Sequence, residues 1–332
     1  MSERDADAAG ESDPDNVAIA CQGGGSHTAF TAGVLRGLLR EWDRDRHRLV
    51  GISGTSGGAF NALAAWYGLV VDDEERAAEL VTSLWADMVA DDALDRLANE
   101  WVVGSARAQH AGFPVFQVSP YFTAGSRRGQ EQIRRILERH IDFDAVPDLC
   151  GRDVPDLVVG TVDVHAGEFD TFVNEEVTAD AVLASAAIPT LFPGVHLRGS
   201  LHWDGLFSQN PPVQDLMTGT TGVKPDELWV VQINPQSVDE RPRTLAEIAD
   251  RRNQLSGNLS LNQELRFVEQ VNEWIEAGWL PESEFTHTEI RRIPLGRQYD
   301  LATKLDRRPS FVESLVELGE ERAEAFLADL ER

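Results

Sequence analysis

The chain of 332 residues is almost without lysine. Only Lys224 and Lys304 occur, so nearly all of its 30 basic residues are arginine, and these face 56 acidic ones. A formal net charge of -26 repels nucleic acid and anionic membrane at low ionic strength, which sets nucleic-acid binding aside. Cysteine is equally scarce. Cys21 and Cys150 make neither a disulfide framework nor a metal-ligand spacing, and both sit beside strand-like runs, where buried thiols are expected. No stretch approaches the ~18 consecutive apolar residues of a membrane-spanning helix. The opening "MSERDADAAGESDPDN" has no basic start and no apolar h-region, so it does not read as a signal peptide. Its composition predicts a disordered acidic tail over residues 1–16, and the cytoplasm is the default location.

What is present is an ordinary globular composition, 42% hydrophobic, in a chain long enough to bury a core. Dense acid with almost no lysine fits a cytosolic protein of a salt-accumulating organism, because at molar salt the Debye length falls to roughly 3 Å and self-repulsion is screened. The plain alternative is an acidic protein of an ordinary host.

The apolar pattern gives the organisation. "VAIACQ" is a doubly buried strand, and "TAFTAGVLRGLLREW" repeats Phe30, Val34, Leu38 and Trp42 on one helical stripe. "HRLVGIS" is a second strand, and "GGAFNALAAWYGL" a second helix with Phe60, Leu63 and Tyr67 aligned. Strand, helix, strand, helix with short turns predicts a parallel sheet with helices on its faces. Further along, residues 72–110 read as acidic helices and "GFPVFQVSPYFTAG" as irregular. "QEQIRRILERHI" reads as a short helix, "DLVVGTVDVHAGEFDTF" as a strand and its turn, and "TADAVLASAAIP" as a helix ended by Pro189. "GVHLRGSLHWDG" is hairpin-like and "DELWVVQINP" a buried strand. A helix is predicted from about residue 253, and a last one opens on a Ser310/Glu313 capping box. Residues 72–130 and 237–257 are too polar for core and are expected as lids or insertions. Residues 17–332 are expected as a single α/β domain.

Two glycine-rich turns carry the chemistry. Gly54-Thr55-Ser56-Gly57-Gly58 fits the G-x-S-x-G elbow in its required setting, a strand before and a helix after. It is either a nucleophile's turn or an ordinary glycine-rich one. Gly23-Gly24-Gly25 lies one βα unit upstream, so both turns fall at the same sheet edge, where glycine N–H groups suit an oxyanion hole. A dinucleotide loop fails, since Thr28 stands where its third glycine belongs and no acid ends the next strand. The base is not decided by pattern. His287 is late but in a polar stretch, and His165, His196 and His202 each read as surface or core residues. An acid held close with a tuned pKa would also serve. Asp204 alone reads as an Asp-Gly turn, stiffened beyond by Asn210 and Pro211-Pro212, and Ser185 as a helix-packing residue.

In order, "CQGGGSHTAFTAGVL", "GISGTSGGAFNA", "ASAAIPTLFPGV" and "HWDGLFSQNPPV" resemble the patatin-like acyl hydrolases over about residues 17–235, and the C-terminal helices resemble those of some bacterial members. The resemblance implies a three-layer α/β sandwich with a mostly parallel central sheet. It implies a Ser-Asp dyad without histidine, with Ser56 as nucleophile and Asp204 as base. It places the oxyanion loop at Gly23, Gly24 and Gly25, supported by Gly54, Gly57, Gly58 and Gly205. No cofactor or metal is implied. The expected activity is hydrolysis of lipid-type carboxylic esters through an acyl-serine, at a lipid or granule surface. Three positions depart from the family pattern. His27 stands where Arg or Lys is usual, Thr28 where Gly is usual, and Leu206 where the base motif has Gly or Ala. A histidine loop occurs in a subgroup that includes storage-polyester depolymerases, so a polyester or thioester substrate is the alternative. His27 would be a second oxyanion donor or an N-terminal cap of the first helix. A Ser-His-Asp esterase and a lipid- or granule-binding protein without turnover remain as other classes. One test of the charge reading is urea unfolding, which should show a higher midpoint in multimolar KCl than in low salt; the reverse order would remove the salt-adapted reading.

Overall fold

The first apolar run forms β1 (Asp15–Cys21), whose residues from Val17 onward are buried on both faces. Such a strand belongs in the middle of a sheet. β2 (His47–Gly54) and β7 (Glu227–Gln232) flank it in parallel, with β3 (Asp156–Asp163) beyond β2 and β8 (Glu289–Pro294) beyond β7. This is a computed structural model, and it describes residues 13–113, 115, 118–219, 222–239 and 241–332. Most of the expected acidic tail therefore lies outside the described residues, and strand β1 begins two residues before Val17.

Strand β3 has two neighbours in succession along one edge. Its first half, Asp156–Val159, pairs in parallel with Gly51–Gly54 of β2. Its second half, Thr161–Asp163, pairs antiparallel with β6 (Ser200–Asp204), outside which lies β5 (Val195–Leu197). β4 (Glu168–Val173) covers the other edge. β2 and β6 thus run towards each other on the same edge and stop on either side of Gly160. The residue after the end of β2 is Thr55, and the last residue of β6 is Asp204.

Right-handed crossovers put the helices on both faces. The steps outward from β1 to β2 and β3 use α1 (Ala29–Arg40), α2 (Gly57–Val71), α3 (Glu74–Met88), α4 (Ala93–His110), α5 (Ala124–His140) and α6 (Val146–Leu149). Most of these, with α7 (Ala179–Ser185) and α10 (Pro309–Leu330), share the larger core around Phe30, Trp66, Leu84 and Trp229. The steps to β7 and β8 go the other way, so α8 (Gln214–Thr218) and α9 (Leu245–Glu276) lie on the opposite face, over Ala18, Ala20, Leu228 and Val230. The result is the three-layer α/β sandwich expected, with a mixed sheet, and the direction of the strand order reverses at β1, at whose carboxyl end the glycine loop lies.

Several expectations are corrected. The stretch 72–88 is not a lid: α3 buries Ala77, Leu80, Val81, Leu84 and Trp85 in the core, its polar residues covering only the outer face. Residues 245–257 are the first turns of a 32-residue helix, started by a reciprocal box in which Thr244 Oγ1 accepts the Glu247 N–H and the Glu247 carboxylate accepts that of Thr244. The Ser310/Glu313 box does not form, because the helix starts at Pro309, whose fixed φ suits the first position, and Ser310 is already inside. The helix before Pro189 ends at Ser185. β8 was not expected; "EIRRIP" is too charged to alternate, and Arg291 lies against Glu227 and Glu289. Cys21 is buried, Cys150 only half-buried, and both are free thiols.

α1 and α10 cross at bare backbone. A Cβ on Gly33 would stand 1.9 Å from the Val316 carbonyl oxygen, and one on Gly319 would stand 2.2 Å from that of Phe30. A Cβ on Gly104 in α4 would meet nothing within 4 Å. Gly319→Leu should therefore cost about 3 kcal/mol or more by forcing the helices apart, whereas Gly104→Ala should gain up to about 1 kcal/mol from helix propensity. Urea midpoints measure both.

Candidate active site

Ser56 sits where β2 must turn into α2. Its φ of 57° and ψ of -129° place a non-glycine residue in a sparsely populated region. Such strain costs on the order of 1–3 kcal/mol and persists only where the surroundings over-determine it. Here they do. The Ser56 N–H donates to Ser185 Oγ at 2.9 Å, and the Ser185 hydroxyl donates onward to the Gly160 carbonyl at 2.7 Å. Both capacities of the Ser185 hydroxyl are used in tying α7, the elbow and β3 together. It is a strut for the Ser56 backbone, a role that its alanine-rich sequence setting did not signal. Close approach explains the glycines on either side: a Cβ on Gly58 would lie 2.2 Å from the Cys21 carbonyl oxygen, and one on Gly23 would lie 2.9 Å from the Ser56 Cβ.

Asp204 arrives from the opposite direction along the same edge of β3. Its Oδ1 accepts the Leu206 N–H at 2.8 Å, which starts the short turn Gly205–Phe207. Its Oδ2 is buried with no hydrogen bond formed. The carboxyl is 1% exposed. Burial raises its pKa to about 7, against which the Leu206 N–H and the nearby Ser56 hydroxyl pull only partly. Desolvation and a facing hydroxyl are the two conditions for a carboxylate poised as a base near neutral pH. Gly205 packs on the Gly160 carbonyl, and the buried Ser208 hydroxyl reaches Thr161 O at 3.0 Å, so this turn is locked to β3.

The loop Gly23–Gly25 leaves β1 over Ser56. The N–H of Gly23 is occupied by Asn210 Oδ1 at 2.7 Å. For the N–H groups of Gly24, Gly25 and Gly57 no protein acceptor is found among the described residues. Gly57 opens α2, where the helix dipole adds positive potential. Gln22 anchors the loop: its Oε1 accepts the N–H groups of Ile233 and Asn234, and its Nε2 reaches Asn258 Oδ1 on α9 at 3.0 Å. Neither Gln22 nor this use of Asn210 was legible in the sequence, since their partners lie about two hundred residues away.

The His27 ring is engaged by the segment around Thr303. Its Nε2 lies 2.8 Å from Thr303 Oγ1, whose own proton goes to the Asp300 carbonyl, so the ring donates. It is packed near Tyr299 and Phe311, and burial with the neighbouring Lys304 pushes its pKa down to about 3, leaving it neutral. No side chain caps α1. The neighbouring Thr28 hydroxyl donates to the Gly25 carbonyl. None of the eight histidines hydrogen-bonds Ser56 among the described residues; buried His202 pairs with Asp170 at 2.9 Å and His287 is an exposed partner of Glu276. The described residues hold no group of three or more His, Cys, Asp or Glu able to bind a metal.

A family model described as patatin-like phospholipase matches residues 19–217, which contain β1, the elbow, Asp204 and Asn210. The chain belongs to the patatin-like phospholipase family. This patatin-like chain is similar in structure to VipD from Legionella pneumophila at 13% identity and a TM-score of 0.45, covering 96% of this chain and 67% of that one. It is also similar to the type III effector ExoU at 14% identity and 0.36, covering 96% and 54%, and to ExoU in complex with SpcU from Pseudomonas aeruginosa at 13% and 0.32, covering 94% and 53%. The chain thus spans about two thirds of the length of VipD and about half that of ExoU. No curated protein matches it in sequence. None of its described helices is long and apolar enough to cross a membrane.

The raised Asp204 pKa has a stability consequence that does not depend on turnover. A carboxyl whose folded pKa lies above its ordinary value, about 3.9, binds its proton more tightly when folded, so stability falls as pH rises from about 4 to about 7. Asp204→Asn keeps the shape without the charge. The variant should be more stable than the parent at about pH 8, by an amount on the order of 4 kcal/mol, and lose that advantage at about pH 4. Urea unfolding at the two pH values measures it; equal stabilities at both would mean that Asp204 is ionised without cost.

Proposed function

We propose that the protein is a serine acyl hydrolase that cleaves lipid-type carboxylic esters through Ser56 and Asp204. The observation that carries this reading is a strained serine held against a buried carboxyl with a pKa of about 7. Ser56 Oγ attacks the ester carbonyl carbon while its proton passes to the Asp204 carboxylate. The oxyanion lies towards the N–H groups of Gly24, Gly25 and Gly57, and Gly23 holds the loop through Asn210. The tetrahedral intermediate expels the alcohol, which takes the proton from Asp204 and leaves an acyl-serine. Water then gives a proton to Asp204 and attacks the acyl carbon. Collapse returns that proton to Ser56 and releases the acid. An aspartate is an adequate base here because burial has brought its pKa to the working pH, and because the facing geometry replaces a bimolecular encounter.

Lipid acyl esters are the first substrate class, since the family is one of lipid-ester hydrolases. A storage polyester or a thioester is the second. Its support is the histidine loop, in which the His27 ring bonds Thr303. The test is a fluorophosphonate probe, followed by a panel of p-nitrophenyl esters, phospholipid and polyhydroxybutyrate. Labelling should vanish in Ser56→Ala and slow by about 10²–10⁴ in Asp204→Asn. In the parent its rate should rise with pH through about 7, because the base works only when ionised. Undiminished labelling of Ser56→Ala would overturn the assignment. Loss of activity in His202→Ala with retention in Asp204→Asn would favour a Ser-His-Asp enzyme.

A further inference from the structure

The negative charge is not spread evenly. Residues 101–141 contain six arginines, two glutamates, and no aspartate or lysine. That leaves 24 of the 30 basic and 54 of the 56 acidic residues to the rest of the chain. The same segment exposes large apolar side chains. Phe122 is 85% and Trp101 72% exposed, and Phe113, Val118 and Tyr121 are also open to solvent. Three of the arginines are held by carboxylates: Arg107 by Asp300, Arg134 by Asp180 and the glutamates of its own helix, Arg139 by Asp87. Arg127, Arg128 and Arg135 are exposed and have no carboxylate partner among the described residues.

The part of this segment that runs from Tyr121 into α5 is tied to the candidate active site. The Tyr121 hydroxyl accepts the Gly194 N–H at 3.1 Å, just before β5, and β5 pairs with the strand that ends at Asp204. Beside it, Arg127, Gln130, Glu131, Arg134 and His196 line a cleft of about 350 Å³, with Leu183 of α7, the helix that carries Ser185.

We propose that the turn Pro120–Phe122 and helix α5 form a docking face for an anionic lipid surface, with Arg127, Arg128 and Arg135 at headgroup level and Phe122 inserted at the boundary. Unpaired arginine next to exposed aromatic residues is the composition of an interfacial contact, since each basic side chain near an anionic surface adds to the attraction. The surrounding acid sharpens the orientation, since every other approach is repelled. A nucleic acid would also attract arginine. A lipid surface is favoured because aliphatic Val118 accompanies the aromatic residues and because docking here brings ester lipid next to the strand bearing Asp204.

Docking is read by binding, independently of turnover, using the full chain carrying Ser56→Ala so that vesicles stay intact. Co-sedimentation compares phosphatidylcholine vesicles with phosphatidylcholine–phosphatidylglycerol vesicles. At low ionic strength the protein should bind the anionic vesicles preferentially, and binding should fall as KCl rises. Arg127→Glu, Arg128→Glu and Arg135→Glu together should reduce partitioning on the order of a hundredfold or more. Phe122→Ala should weaken it with the charge intact. Arg266→Glu, an exposed reversal on α9, should leave it unchanged. Equal binding to both vesicle types, no binding to either, insensitivity to the triple reversal, or retention on duplex DNA in place of vesicles would each overturn the proposal.

Discussion

The arrangement rests on one carboxyl kept out of water. Asp204 is sealed at the end of β6, and its second oxygen has no hydrogen bond. A charge there is expensive, so the proton is held until neutral pH, and the fold gives up stability to keep it. That expense is tolerable because the sheet leaves no other place for the residue. β2 and β6 meet end to end on one edge of β3, with Asp204 at the end of one and Ser56 in the turn just beyond the other.

The polar groups around the meeting point act as fasteners. Ser185 fixes the Ser56 backbone against Gly160, Asn210 holds Gly23, and Gln22 joins the ends of β1 and β7 to α9. A buried network of this kind is stabilising only when its members are satisfied, and it rigidifies what it satisfies. The unused N–H groups of Gly24, Gly25 and Gly57 stand out against that background, as does Asp204 Oδ2. With the buried Asn210 Nδ2, they are polar groups around the meeting point without a protein partner among the described residues.

Charge works at a longer range. A net charge of -26 describes the molecule poorly, because residues 101–141 carry the opposite sign. The average excluded an anionic partner, whereas the distribution gives such a partner one direction of approach. The two acidic helices that precede α5 behave unequally: α3 turns its apolar stripe into the core, while α4 buries little beyond Asn99 and Val103.

Local pattern alone determined much of the architecture. Doubly apolar runs such as "VAIACQ" mark buried parallel strands, and the strand–turn–helix context singled out Ser56, because both depend on neighbours in sequence. Asp204 was found only through a family likeness; by itself it is an Asp-Gly turn. The charged "EIRRIP" hid β8, and Ser310 imitated a cap that Pro309 had already made unnecessary. Tertiary structure alone decided that Ser185 supports the elbow, that Gly23 spends its N–H on Asn210, and that His27 faces Thr303. Those contacts span from 129 to 276 residues of chain. Their hydrogen bonds exist only once the sheet and α9 have come together, so nothing in the neighbouring sequence could encode them visibly.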